Sequence, residues 1–266
     1  MLSLQNIQSI RTEKMLKFKS AICFFIICII PSNATETLVK SEVIGDMTCI
    51  SSNGIPDHEI GKFPNRANPN EFREQQLTFC FPSVPRLTQR VTWGLMTVGV
   101  STSGIPLRPY TAEYFDPATK RGFSKNSSSG WRKQAMHNPR SLGMDKQNGH
   151  VDRSGLYHYH SISKILPAHK KGRLVGYAPD GFKIIYHPDK MTSSWKLKTG
   201  ERSSPPGGRY NGQFEEDFEY RINSGSLDEC NGAKIDNEYR YFATDSYPFF
   251  PRCFKGEVNL NFMVRK

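Results

Sequence analysis

Apolar and polar residues alternate with a period of two over several short stretches, which is the pattern of half-buried strands. Leu77, Phe79 and Phe81 alternate with Thr78 and Cys80, and Val258, Leu260, Phe262 and Val264 alternate with Asn259 and Asn261. Further β-rich runs span 91–100, 174–178, 182–186 and 239–244, broken by turn residues such as Pro179-Asp180-Gly181. No segment keeps a helical period over three turns, so the pattern predicts a mainly β fold, either a sandwich or a barrel-like sheet, with long loops. Two stretches, 124–130 and 201–212, hold serine, proline and glycine at a density that opposes regular structure. No linker or internal repeat stands out, and residues 35–266 are expected to form a single β-rich domain.

The first 34 residues read differently. Lys14, Lys17 and Lys19 precede the apolar run 21–30, and Ser32-Asn33-Ala34 offers small residues where a signal peptidase cuts, so 1–34 is expected to be a signal peptide cleaved after Ala34. The apolar run is too short to span a bilayer, which takes about 20 residues, so no transmembrane segment is expected in the mature chain. A periplasmic or secreted location follows. Removing four basic residues and one acidic residue with the signal lowers the formal charge from +11 to +8. Such a surface favours anionic partners. Export argues against nucleic acid and leaves an anionic envelope polymer or glycan. Cys23 and Cys28 depart with the signal, and Cys49, Cys80, Cys230 and Cys253 suit two disulfides in an oxidising compartment. Of the possible connectivities, proximity favours Cys49 with Cys80 and Cys230 with Cys253.

The chemistry concentrates at Tyr157-His158-Tyr159-His160, where a strand's period puts both imidazoles on one face and both phenols on the other. The preceding residues, Gly149 to Leu156, read as a strand end, a polar turn with Gly155 late in it, and a strand start. A type I turn with Gly155 as the left-handed bulge residue sets His150 opposite His158, and three imidazoles then share a face. A plain two-residue turn at Arg153 and Ser154 would set His150 opposite Tyr157 instead and remove it from the group. Three neutral imidazole donors with one open position suit zinc or copper, as a bound or a catalytic ion. The competing reading is a polar strand face that meets water.

Gly149-His150, Gly155 to His160 and Gly176-Tyr177-Ala178-Pro179-Asp180-Gly181-Phe182 together resemble the bacterial YHYH domain family. Leu227-Asp228-Glu229-Cys230-Asn231-Gly232 and Tyr247 to Phe254 resemble its C-terminal signature, and Ser52 to His58, Gly61 to Asn65 and Asn68 to Asn70 are similar to family sequence upstream. The resemblance spans about residues 48–256 and implies an exported protein without implying any particular activity. One departure matters: members often carry a second Tyr-His-Tyr near the C-terminal signature, and the matching segment here is Tyr239-Arg240-Tyr241. Arginine stays protonated and cannot ligate, and a unit charge about 4 Å from a cation costs several kcal/mol even at an effective dielectric of about 20. Position 240 therefore never held a ligand, points elsewhere, or marks an altered site.

Three further residues are candidates for the same centre. His58, inside a family-like segment, is the outside candidate for a fourth ligand, against an ordinary role as a turn histidine bonded to backbone. Asp180 is expected either to accept amide hydrogens in its own turn or to orient a ligating imidazole from behind, and Asp228 is a weaker candidate for the same work. There is no Gly-x-Ser-x-Gly elbow, phosphate-binding glycine loop or His-Glu-x-x-His helix, so hydrolysis would depend on metal-bound water. Three functions compete: an exported transition-metal binder, a metal-dependent hydrolase or oxidase, and an extracellular glycan-binding or structural module.

Overall fold

A computed structural model describes residues 36–163 and 172–265; the segment read as a signal peptide lies outside them. Residues 35–266 cluster as one compact unit. Along the chain come β1 (Val39–Ile44), β2 (Met47–Ser52), β3 (Leu77–Pro82), β4 (Leu87–Trp93), β5 (Gly99–Ser101) and β6 (Pro106–Leu107). Next are β7 (Tyr110–Phe115), β8 (Phe123–Ser124), β9 (Arg132–Gln134), β10 (Gly149–Val151) and β11 (Tyr157–Tyr159). They are followed by β12 (Arg173–Tyr177), β13 (Lys183–Tyr186), β14 (Trp195–Leu197), β15 (Phe218–Tyr220), β16 (Gly232–Ile235), β17 (Glu238–Ala243), β18 (Cys253–Gly256) and β19 (Met263–Arg265). The fold is mainly β, and the described helical turns are short 3-10 segments. No helix among the described residues is long and apolar enough to cross a membrane.

The largest sheet has eight strands in the order β10-β11-β6-β5-β12-β13-β17-β16. A hairpin therefore ends it at each edge, β10-β11 on one side and β16-β17 on the other. The sheet stays open, and the barrel-like alternative is corrected: no sheet among the described residues closes on itself. At its centre β5 and β12 run antiparallel, with Val100 opposite Tyr177 and Ser101 opposite Gly176. A second sheet, β1-β2-β3-β19, packs its apolar face over this centre. Leu77, Phe79 and Phe81 of β3 are buried, as their alternation requires. They pack in one cluster with Val100 and Leu156, and Phe81 stacks on Tyr177 with ring centroids 4.9 Å apart. Each such ring or branched side chain contributes about 1.5–3 kcal/mol by leaving water.

The C-terminal alternation is less regular than the sequence suggests. Only Met263–Arg265 is strand, Leu260 is exposed, and Asn259 turns the chain by accepting the Asn261 amide hydrogen on its side chain at 3.0 Å. Local asparagine turn chemistry overrides a period-two pattern of this length. Of the two loop-like stretches, 124–130 folds into the end of β8 and a 3-10 turn, while 201–212 stays irregular apart from a bridge between Glu201 and Arg209. Both disulfides form with the pairings that proximity favours. Cys49–Cys80 joins directly opposed positions of β2 and β3, and Cys230–Cys253 ties the approach to β16 to β18.

Cys230–Cys253 closes a 23-residue separation. Its removal in a Cys230→Ser, Cys253→Ser variant should cost about 3 kcal/mol in urea unfolding, chiefly by freeing the unfolded chain. Asp180 lies fully buried in the turn between β12 and β13, where its Oδ2 accepts the Tyr241 hydroxyl hydrogen of β17 at 2.7 Å and the Gly256 amide hydrogen of β18 at 3.0 Å. Burial pushes its carboxyl up to about 6 against those hydrogen bonds. The folded chain thus holds this proton more tightly than the unfolded chain. Stability from this group is complete below about pH 4 and falls as pH rises through 6, by about 3 kcal/mol. Asp180→Asn should flatten that part of the stability-against-pH curve, read from urea midpoints between pH 4 and 7; an unchanged slope would refute the assignment.

Candidate metal centre

Local sequence builds the site through the β10-β11 hairpin. His150 pairs with His158, Val151 with Tyr157 and Gly149 with Tyr159. The turn closes with the Gly155 amide donating to Asp152 O at 2.9 Å and the Asp152 amide to Leu156 O at 3.0 Å, and Gly155 sits at φ +85°. That left-handed position strains any residue with a Cβ and favours glycine. The Asp152 carboxylate accepts the Ser154 amide at 2.8 Å and pairs with Arg108 at 3.1 Å, which stiffens the turn. At the other end, Asp145 anchors the strand pair. Its Oδ1 accepts the Gln147 and Gly149 amides at 2.8 and 3.2 Å, and its Oδ2 accepts the Gly61 amide at 3.0 Å and the Tyr157 hydroxyl at 2.8 Å. A side chain at Gly149 would run into the Tyr157 hydroxyl, so glycine is required there by contact.

This register gathers three imidazoles on one face. The ring centroids of His150, His158 and His160 form a nearly equilateral triangle, with sides of 4.7, 4.8 and 4.9 Å. One ring nitrogen from each lies within 4.8 Å of the other two, and His150 Nε2 stands 3.1 Å from His160 Nε2. His158 and His160 are 5% and 2% exposed, while His150 is half-buried and forms the side nearest solvent. Burial holds all three below the ordinary imidazole value, His158 and His160 well below it, and the neighbouring rings and the Arg108 charge add to the effect on those two. Neutral imidazole is the form that coordinates a metal.

The remaining ring nitrogens each lie against a backbone carbonyl. His150 Nδ1 lies 2.8 Å from Leu142 O, His158 Nδ1 lies 3.3 Å from Leu156 O, and His160 Nδ1 lies 3.3 Å from Pro109 O. A carbonyl only accepts, so the hydrogen-bond network places each proton on Nδ1 and leaves each Nε2 as a bare lone pair. Two such lone pairs 3.1 Å apart repel unless a proton or a metal cation lies between them. Metal–nitrogen bonds of about 2.0–2.1 Å in a tetrahedral site put neighbouring donors about 3.3 Å apart, and the His150–His160 Nε2 separation of 3.1 Å lies close to that. The donor set therefore fits a metal ion that accepts imidazole ligands.

The other candidate residues stand elsewhere. His58 meets the opposite face of β11: its Nδ1 donates to Glu59 O at 2.9 Å, and its Nε2 accepts the Tyr159 hydroxyl hydrogen at 2.5 Å. The pleat separates it from the three histidines, so it does not join them. Asp180 and Asp228 serve the far hairpin. Asp228 accepts the Cys230 and Gly232 amides at 3.0 and 2.9 Å and the Tyr239 hydroxyl at 2.9 Å, and it pairs with Lys255 at 2.8 Å. Backbone carbonyls, not carboxylates, thus orient the imidazoles. Sequence reading missed these carbonyls, which no side-chain pattern announces. It also missed Asp145, although Asp145-x-x-Asn148-Gly149 recurs as Asp228-x-x-Asn231-Gly232. Arg240 lies in β17 opposite Ala233 and pairs with Glu238 at 2.7 Å, at the other edge of the sheet from the imidazoles.

No curated protein and no solved structure matches this chain. The family described as YHYH protein matches residues 78–256, a span that covers about two thirds of the sequence and includes both edge hairpins. On that match and on the Tyr157-His158-Tyr159-His160 strand within it, the chain belongs to the YHYH protein family.

Proposed function

We propose that this protein binds a transition metal ion, zinc or copper, through Nε2 of His150, His158 and His160. One observation carries the reading: three imidazoles, each with Nδ1 against a backbone carbonyl, bring one ring nitrogen apiece within 4.8 Å of the others, and Nε2 of His150 and His160 stand 3.1 Å apart. Locking the second ring nitrogen onto an acceptor is how metal-binding proteins orient and strengthen imidazole ligands. The metal would supply a positive centre that three neutral donors satisfy. The group holds three members among the described residues, which leaves a position for solvent or another ligand beside half-buried His150. A metal-dependent hydrolase or oxidase would use that position. The burial of His158 and His160, and the distant placement of Asp180 and Asp228, favour holding the ion over turnover.

Two disulfides support an oxidising compartment, periplasmic or extracellular, in keeping with the signal peptide proposed for residues 1–34. The net positive charge favours an anionic envelope polymer or glycan as the surface met there.

Elemental analysis of the purified protein should find close to one metal ion per chain, and a His158→Ala, His160→Ala variant should lose it. His58→Ala should retain it, because that ring lies on the other face of β11. Chelator should lower the unfolding free energy of the loaded protein by about 4 kcal/mol where free metal had exceeded Kd about a thousandfold. Equal metal in the wild type and the double variant would end the proposal.

A further inference from the structure

The two edge hairpins of the large sheet share a set of hydrogen bonds. In the first, the Asp145 amide donates to Gly149 O at 2.9 Å and Asp145 O accepts the Asn148 amide at 3.3 Å; in the second, the Asp228 amide donates to Gly232 O at 2.9 Å and Asp228 O accepts the Asn231 amide at 3.0 Å. Asn148 and Asn231 both take the left-handed conformation, at φ +60° and +62°. Each aspartate then caps the following amides with Oδ1 and receives a tyrosine hydroxyl on Oδ2, from Tyr157 at 2.8 Å and from Tyr239 at 2.9 Å. Each tyrosine packs on a glycine with no room for a Cβ. The tyrosine pairs match as well: Tyr157 and Tyr159 lie 5.4 Å apart at 87°, Tyr239 and Tyr241 5.2 Å apart at 88°.

The agreement extends to the strands inside the hairpins. Strand β11 runs parallel to β6 with Tyr159 beside Leu107, and β17 runs parallel to β13 with Tyr241 beside Ile184. The two inner turns share their closing bonds, Gly104 N–H to Ser101 O at 3.0 Å and Gly181 N–H to Ala178 O at 2.9 Å. Both turn glycines have positive φ. Between the halves, Val100 faces Tyr177, which is where a two-fold axis relating them would pass. The turn of the second hairpin is one residue shorter, with Asp236 and Asn237 both left-handed, so the sequences fall out of step after the shared Asp-x-x-Asn-Gly.

We infer that the large sheet is two copies of one four-strand unit, and that the second copy holds at Ala233, Arg240 and Phe242 the clasp positions of His150, His158 and His160 without their donors. The cross-strand pair Ala233 and Arg240 stands where His150 and His158 stand. The Phe242 amide donates to Asn231 O at 2.8 Å as the His160 amide donates to Asn148 O at 2.9 Å. The inference rests on the metal reading of the first hairpin and deepens it. The second copy forms the same hairpin with no histidine, so the fold does not require the three imidazoles. Residues common to both copies are scaffold, and the chain holds one ion where the architecture offers two places.

Zinc is the probe. The full chain carrying Ala233→His, Arg240→His and Phe242→His, equilibrated with zinc and freed of excess ion, should hold two zinc ions where the wild type holds one. The same three changes in the His158→Ala, His160→Ala background should raise zinc from none to one. Phe242 is buried, so Ala233→His with Arg240→His alone, at positions that reach solvent, is measured beside it and should gain a second zinc at higher concentration. Loaded wild type together with folded grafts that gain nothing would overturn the inference and leave the first clasp standing. Wild type that takes up no zinc or copper would remove the metal reading itself, and this inference with it.

Discussion

One carboxylate, Asp145, sets the register from which the histidine cluster follows. It receives two amides from the chain entering β10, one amide from Gly61 and the hydroxyl of Tyr157 from the partner strand. Charge-assisted bonds of this kind are stronger than neutral ones. Joining both strands through one group opposes slippage, which matters because a slip of one residue turns every side chain of a strand to the other face. His158 and His160 would then exchange places with Tyr157 and Tyr159. The left-handed glycine of the turn holds the other end of the same register.

With the register set, the two faces of β11 do different work. On one face the phenols make polar contacts inside an apolar cluster, Tyr157 with Asp145 and Tyr159 with His58. On the other, His158 and His160 are buried, His150 is half-buried, and each ring turns Nδ1 to a backbone carbonyl. With both N–H groups turned to carbonyls, the His150 and His160 Nε2 atoms face each other at 3.1 Å, and a metal ion between them would draw on both lone pairs. The same burial that disfavours protonation keeps the rings in the form that coordinates.

The far hairpin acts as a comparison built into the molecule. It retains the aspartate, the left-handed asparagine, the close-packed glycine and both tyrosines, and it forms the same strand pair. At the three histidine positions it carries alanine, arginine and phenylalanine. Arg240, read from the sequence as a possible mark of a lost site, therefore belongs to a second copy and places no charge beside the imidazoles. Asp180 and His58 have comparable duties, each meeting the second tyrosine of its hairpin, at Tyr241 and Tyr159.

Much of this was legible in the sequence because it depends on local rules. Alternation at Leu77, Phe79 and Phe81 placed a half-buried strand, the spacing of Gly155 allowed the bulge turn that brings His150 opposite His158, and short separations favoured the two disulfides. At 258–264 the alternation misled, because asparagine side chains compete with strand pairing over so few residues. What lay beyond the sequence was non-local: the carbonyls of Pro109 and Leu142 behind the rings, the tyrosine-facing position of His58, the duties of Asp180 and Asp228 at the opposite edge, and the repeat hidden by a one-residue difference in turn length. Side-chain periodicity reports which face a residue takes, and that belongs to the sequence. Which distant backbone atom or sheet edge meets that face depends on how strands far apart in the chain are ordered, and only the folded sheet decides it.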